Sequence, residues 1–275
     1  MTSIRIATLN LWNSDNTDHL QINRLSAAAE ALIRLDADVV ALQEVAMDFG
    51  EHADAAHWLA ERTGHAHVLV HRYADEPGEG LAFLARTPLR HRPLADDIDI
   101  ALRVETTIGD VPLALTNVHL DWRSVLTRER QIAEIATLVA HESGGNRYEI
   151  LLGDFNSYPE SSVYQFLAGQ QTLHGHETVP WHDLARTWAE RAGSTPAPTL
   201  DFPRNPRWRD APKSERPARR DWILVRDTFA AKLISPSLTG AGIFGDEAAP
   251  ITRVVPSDHY GVHADLFIPD GEMRQ

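Results

Sequence analysis

The chain has 275 residues and a formal net charge of −13. That length can bury a sizeable core, whereas the acidic balance argues against a tight, sequence-independent nucleic-acid binder, which carries a basic footprint. There is no Cys, which excludes a disulfide framework and a thiolate zinc site, and no apolar run of about 20 residues that could span a membrane.

A nuclease stays open despite the charge, because a local basic patch or a bound cation reverses the field at a site. Met1 to Ala7 enters a strand-like pattern at once, without the apolar core of a signal peptide, so a cytoplasmic location is expected. Ile4 to Trp12 alternates apolar and polar residues as a half-buried strand and delivers Asn10 near its end. Ile22, Leu25, Ala28, Ala29, Leu32 and Leu35 then fall at helical spacing, and Asp36-Ala37-Asp38 breaks the helix. Val39 to Leu42 reads as a buried strand running into Gln43-Glu44.

A second helix is expected near Glu51 to Arg62, with Gly64 as its C-cap, followed by a strand from His65 to Val70. Turn chemistry at Asp75 to Gly78 leads into a strand opened by Glu79 and ended by Thr87-Pro88. Ile98 to Ile108 and Val111 to Leu120 predict a hairpin turning at Gly109-Asp110. Alternation puts Asn117, His119 and Asp121 on one side of its second arm. Leu126 to Glu142 is amphipathic, and Ser143 to Asn146 closes that helix.

Ile150-Leu151-Leu152-Gly153-Asp154-Phe155-Asn156 is the centre of the pattern. A fully buried strand ends in a carboxylate and a carboxamide that share a side, and Gly153 permits close backbone approach. A short helix is expected at Ser161 to Leu167. From Gly169 to Arg219 the periodicity weakens, and His174, His176 and His182 have no spacing that would bring them together as a metal site. Arg204, Arg207, Arg209, Lys213, Arg216, Arg219 and Arg220 outweigh Asp210 and Glu215 locally. This stretch reads either as a loop meeting a phosphate-bearing substrate, with Trp208 for stacking, or as a solvated loop. Asp221 precedes the buried strand Trp222 to Val225; a connection with Gly240, Gly242 and Gly245 leads to Ser257-Asp258-His259 and a closing strand, His263 to Ile268. No internal repeat and no linker interrupts the chain, so one domain over residues 1–275 is expected.

Asn10, Glu44, Glu79, His119, Asp154, Asn156, Asp221, Asp258 and His259 thus fall at strand ends or in adjoining loops. Oxygen donors of this kind suit a hard cation such as Mg²⁺ or Mn²⁺, and two His with acids nearby suit proton transfer near neutral pH. Neither a P-loop nor a GxSxG elbow occurs.

The ordered set Thr8-Leu9-Asn10, Leu42-Gln43-Glu44-Val45, Glu79-Gly80, Asn117-Val118-His119-Leu120, Gly153-Asp154-Phe155-Asn156, Arg220-Asp221-Trp222-Ile223 and Ser257-Asp258-His259 resembles the endonuclease/exonuclease/phosphatase superfamily, the fold of pancreatic deoxyribonuclease. The resemblance implies an α/β four-layer sandwich, two β-sheets face to face with helices outside. It implies a metal-dependent phosphoesterase acting on a phosphoester, nucleic acid among the candidates; a module that binds a phosphate ligand without catalysis is the alternative. Glu44 resembles the principal metal ligand, with Asn10 beside it and Asp258 nearby. His259 resembles the base that activates water, oriented by Asp221. Asp154 and Asn156 resemble groups that position the water and the phosphoryl oxygens. His119 resembles a second catalytic His with Glu79 as its acid partner. No protein partner is expected.

Overall fold

The computed structural model describes residues 1–13, 18–95, 98–142, 146–210, 215–228 and 233–269. The Gly-rich close of the third helix, part of the polar loop after Trp12, and Lys213 lie outside these residues.

Two six-stranded sheets face each other. The first is built from β1 (Thr2–Asn10), β2 (Val39–Gln43), β3 (His67–Arg72), β4 (Gly80–Ala85), β11 (Ser237–Phe244) and β12 (Gly261–Ile268), in the order β11-β12-β1-β2-β4-β3. The second contains β5 (Arg90–His91), β6 (Ala101–Ile108), β7 (Val111–His119), β8 (Tyr148–Asp154), β9 (Trp181–Asp183) and β10 (Asp221–Arg226), in the order β5-β6-β7-β8-β10-β9. Each sheet has the same kernel. A parallel pair, β1–β2 in one and β7–β8 in the other, is joined by a helical crossover, α1 (Asp18–Leu35) or α3 (Val125–Glu142).

Strand alternation sorts the side chains into layers. Ile4, Ile6, Val39, Ala41, Leu81 and Phe83 of the first sheet meet Leu113, Leu115, Ile150, Leu152, Ile223 and Val225 of the second in the central core. The intervening residues point outwards: Leu9, Val40, Leu42 and Leu84 pack on α1 and α2 (Ala55–Thr63). On the other side Leu151, Trp222 and Leu224 pack on α3 and α4 (Ser162–Leu167). Strands buried on both faces lose the polar alternation of a half-buried strand, which is why β2, β8 and β10 read as uninterrupted apolar runs. The expected four-layer α/β sandwich is observed.

Three details differ from the sequence reading. The second helix starts at Ala55, because the Asp54 side chain accepts from His57 N and caps it there. The weakly patterned segment holds β9 and a short helix, α5 (Leu184–Arg191), capped by Asp183. The glycine-bearing connection before Pro256 is a strand, β11. Its glycines weaken strand propensity, but a Cβ at Gly240 would lie 2.7 Å from Asp265 Oδ2, so the side chains of β12 occupy the room that these glycines leave. No helix among the described residues is long and apolar enough to cross a membrane.

Candidate active site

At one end the inter-sheet core turns polar in two steps. The first step is a tie between the sheets. Gln43 Nε2 donates to Asn117 Oδ1 (2.6 Å) and to Thr8 Oγ1 (3.0 Å), while Asn117 Nδ2 donates to the carbonyls of Leu42 and Ala82 (2.9 and 3.1 Å). All three residues are fully buried. Asn117 is therefore spent on holding the sheets together, and Asp121 caps the turn after β7 by accepting from Arg123 N and Ser124 N.

The second step is the site. In register, His119 pairs with Asp154 and Asp221 pairs with Asp154, so these three stand in one row across β7, β8 and β10. Row neighbours point to the same face, here towards the first sheet, where Asn10 ends β1. Gly153 makes the row possible: its φ is +130°, and a Cβ would sit 2.1 Å from Val118 O. Asn10 Nδ2 crosses between sheets, donating to Glu44 Oε1 (2.8 Å) and Asp154 Oδ2 (3.1 Å). Asn156 N donates to Asp154 Oδ1 (2.8 Å), which fixes the second oxygen. Glu44 and Asn156 both hold left-handed backbones, φ 51° and 47°, an uncommon state for non-glycine residues that clusters at functional sites.

Among the described residues no Arg or Lys forms an ion pair with Glu44, Asp154 or Asp258, although the Arg24 and Arg207 charges act on Asp258 from further off. Among the described residues the ion-pair contacts of Glu44 and Asp154 are with imidazoles, at 3.8–3.9 Å, and Asp258 makes none. Burial, with the charge of Glu44 adding to it and the His259 charge opposing, pushes the Asp258 carboxyl up to about 6. Burial again, then Glu44 and Glu76, pushes Glu79 up to about 8 against a hydrogen bond from Asn13. Such a group of oxygen donors in partly dry surroundings fits a hard divalent cation. Asp154, Asp221 and His259 also offer ligand atoms within 4.8 Å of one another. A cation held there would compete with the existing contact between Asp221 and His259.

The two imidazoles are held differently. His259 Nδ1 faces both Asp221 oxygens (3.2 and 2.9 Å), and its Nε2 lies 3.8 Å from Asp154 Oδ2. Burial would depress this imidazole, but Asp221, Asp154 and Asp258 hold it well above its ordinary value. His119 Nδ1 meets the hydroxyl of Tyr73 at 3.2 Å. The expected partner, Glu79, instead accepts from Asn13 Nδ2 at 3.4 Å. The pairing expected for His119 is thus replaced by a phenol, because Tyr73 leaves β3 pointing at the end of β7 while Glu79 turns towards Asn13.

Several described residues between Thr195 and Arg220 serve as a brace. Trp208 Nε1 donates to Asp258 O (2.8 Å), and Asn205 Nδ2 donates to the carbonyls of Ser257 and Asp258 (2.9 and 3.1 Å). Arg207 donates to Val255 O, and Arg219 forms a buried pair with Asp183 at 2.6 Å. Thr199 Oγ1 accepts from the backbone N–H groups of Arg220 and Asp221. Arg204 and Arg209 are exposed and pair with neighbouring Asp201 and Asp210, whereas the Arg220 guanidinium turns to the site, reaching Asn156 Oδ1 (3.4 Å) and lying over the half-exposed Tyr158 ring, 5.3 Å away. His174, His176 and His182 go to three separate partners, Glu129, Thr137 and Asp227. Tyr73, Asn13, Thr199 and Asn205 carried no sequence signal beyond their type.

A model of the Endonuclease/Exonuclease/phosphatase family matches residues 7–259. The chain belongs to this family. Members of the family are generally phosphoester hydrolases. Solved structures similar in fold include truncated TDP2 of Caenorhabditis elegans, at 17% identity, covering 96% of this chain and 98% of that one with a TM-score of 0.69. D. rerio TDP2 complexed with single strand DNA product is 16% identical, covering 97% and 99%, with a TM-score of 0.73. A family member from Bacteroides vulgatus is 18% identical over 98% and 100%, with a TM-score of 0.70. No curated protein sequence matches the chain.

Proposed function

We propose that the protein is a divalent-metal-dependent phosphodiesterase that hydrolyses its substrate by in-line attack of water. The observation that carries this reading is the convergence of Glu44, Asp154 and Asp258, without an Arg or Lys ion pair among the described residues, on two imidazoles at the polar end of the inter-sheet core. Glu44, with Asn10 and Asp258, would hold Mg²⁺ or Mn²⁺, which supplies charge stabilisation at the phosphoryl oxygens.

The remaining roles belong to this chain's own groups. Asp221 holds His259 by Nδ1 and stabilises its imidazolium; with a cation offsetting the neighbouring carboxylates that raise the ring, Nε2 would be freed to take a proton from water. Asp154, fixed through both oxygens by Asn10 and Asn156 N, orients that water. Asn156, whose side chain donates to Leu120 O and faces Arg220, lies where a phosphoryl oxygen would be met. His119 faces the same space from the opposite side of Asp154.

A nucleic-acid strand is the first substrate to test. The rim beside Asn156 joins exposed aromatic rings to arginines in an otherwise acidic chain: Tyr158 under Arg220, and Trp122, 65% exposed, under Arg123 at 4.7 Å. Rings stack on unpaired bases and guanidinium groups meet phosphates. D. rerio TDP2, alike in fold, is described with a single strand DNA product.

The test is turnover of an activated phosphodiester and of a single-stranded oligonucleotide with Mg²⁺ or Mn²⁺, and its loss in EDTA. Folded protein that turns over neither diesters nor monoesters overturns the reading. Trp122→Ala and Tyr158→Ala should weaken the oligonucleotide reaction, by about 1–3 kcal/mol per lost stack, and spare the small diester. Equal losses on both substrates would remove the rim from substrate recognition.

A further inference from the structure

We propose that Tyr73 is a positioning residue: its hydroxyl donates to Nδ1 of His119 and fixes that imidazole in the tautomer with its proton on Nε2, facing Glu44 and Asp154. The consequence for catalysis rests on the phosphodiesterase reading above; the tautomer itself does not.

Both ends of the ring lead to this assignment. Nε2 lies 3.9 Å from Glu44 Oε1 and 3.8 Å from Asp154 Oδ2. Carboxylates only accept, so a proton on Nε2 is attracted and a lone pair there is repelled. Nδ1 lies 3.2 Å from the Tyr73 oxygen. A phenol both donates and accepts, so it takes whichever role the other nitrogen leaves, and here that role is donor. Tyr73 is buried at 8% exposure. Burial, with Glu79, Glu44, Asp99 and Asp154 around it, holds the phenol well above its ordinary value, so the O–H is retained at any working pH. The ring of His71, which is itself paired with Asp99 at 2.8 Å, abuts Tyr73 edge-on and backs it.

The two site imidazoles are then set in opposite senses. His259 has a carboxylate on Nδ1, so its proton sits there and Nε2 is a base. His119 has a phenol on Nδ1, and its Nε2 is a donor. A neutral imidazole that donates can stabilise charge growing on a phosphoryl or leaving-group oxygen. It also adds no second cation beside the one that the carboxylates are suited to hold. A Glu partner on Nδ1 would reverse this, drawing the proton to Nδ1 and turning Nε2 into an acceptor, as in His259.

The experiment uses the full chain labelled with ¹⁵N at its 14 His residues, metal-free, at about pH 8, above the ordinary imidazole range. Long-range ¹H–¹⁵N correlation gives the shifts of both ring nitrogens, with His119→Asn assigning the His119 pattern by difference. The expected result is a protonated-type Nε2 and an unprotonated, hydrogen-bonded Nδ1. Tyr73→Phe should move Nδ1 towards the free value or average the two nitrogens, while Glu79→Gln leaves both in place. A wild-type spectrum with the proton on Nδ1 overturns the proposal, even if a variant fails to fold. So does a folded Tyr73→Phe protein with unchanged shifts, or a pattern that answers to Glu79→Gln instead. In turnover, Tyr73→Phe should lower kcat about 3–10-fold, the scale of one hydrogen bond, with KM little changed. An inactive wild type would defeat the phosphodiesterase reading and leave the tautomer result standing.

Discussion

Two clusters of buried charge lie on the second sheet, and they are composed in opposite ways. On its outer face Arg103 sits 2.9 Å from the Glu149 carboxylate and donates to Thr116 Oγ1, while Arg147 reaches Glu149 at 3.1 Å and Glu105 at 2.7 Å. Arg92 adds a contact to Glu105 at 2.8 Å. Burial would raise Glu105, but Arg92 and Arg147 hold it below the usual carboxylate range. At the strand ends, Glu44 and Asp154 have imidazoles as their ion-pair contacts among the described residues, and Asp258 and Glu79 are pushed up. The first cluster pairs its opposite charges within the chain. The second is left open, and its missing charge is what a substrate-bound cation would bring. Burial alone does not separate structural charge from functional charge; the presence or absence of an Arg partner does.

The largest expected effect tests the open cluster. Asp221→Asn or His259→Ala should each reduce the rate of chemistry by roughly 10²–10⁴-fold, the usual scale for general acid–base catalysis. The double variant should be little worse than the worse single one, because the pair acts as a unit. Either change also breaks the buried contact between Asp221 and His259, so the rate is taken per folded molecule. Rate constants under saturating metal decide it: losses that multiply would make the two residues independent, and Asp221 would not be the orienting group.

The closed cluster should behave the other way. Arg103→Ala leaves Glu149 buried, at 5% exposure, with a weakened set of partners. Breaking a buried pair by removing one member costs about 3–5 kcal/mol, to be read by urea unfolding. The rate per folded molecule should be unchanged. A fall in rate without a fall in stability would erase the distinction between the clusters.

Glu44→Gln sharpens the comparison at the metal. A cation that binds only the folded state adds about 2.7 kcal/mol at a hundredfold excess over its Kd. Mg²⁺ should therefore raise the melting temperature of the wild type, and much less that of the variant, because an amide lacks the charge that attracts it. An equal rise in both would show that Glu44 is not the principal ligand.

The sequence carried the outline of the open cluster because its parts sit where periodicity stops. Asp154 and Asn156 follow a strand that is apolar on both faces, and Gly153 before them is required by the 2.1 Å approach to Val118 O. Ser257-Asp258-His259 precedes the last strand in the same manner. Partner choice was not legible. Whether Glu79 or Tyr73 meets His119 depends on how β3 and β4 leave their hairpin, a matter of side-chain direction that no spacing encodes. The bracing by Thr199, Asn205 and Trp208 was hidden for a related reason. It consists of side chains bound to backbone carbonyl and N–H groups some 20 to 50 residues away, and such contacts leave no pattern. The strand β11 was hidden by its glycines, whose reason lies in the side chains of β12 opposite.

The last expected effect concerns pH, and its sign differs between the clusters. Glu79 is raised by burial and by Glu44 and Glu76, to about 8 in the metal-free protein. A carboxylate raised on folding binds more protons in the native state than in the unfolded chain between its unfolded pKa, near 4.3, and that folded value. Stability therefore falls as pH rises across this window. Glu105 is lowered on folding, so its contribution is present above the unfolded value and is lost as the pH falls below it. Glu79→Gln should flatten the decline between about pH 5 and 8 and leave the acid limb, where Glu105 acts, as it was. Asp258, raised to about 6, and His259, held above its ordinary value, decline in the same direction and survive in the variant, so the contribution of Glu79 is read as the difference between the two slopes. Urea midpoints in EDTA across that range are the measurement. An unaltered decline in Glu79→Gln would mean that Glu79 is ionised in the folded protein, and that the open cluster bears one more uncompensated charge than its geometry indicates.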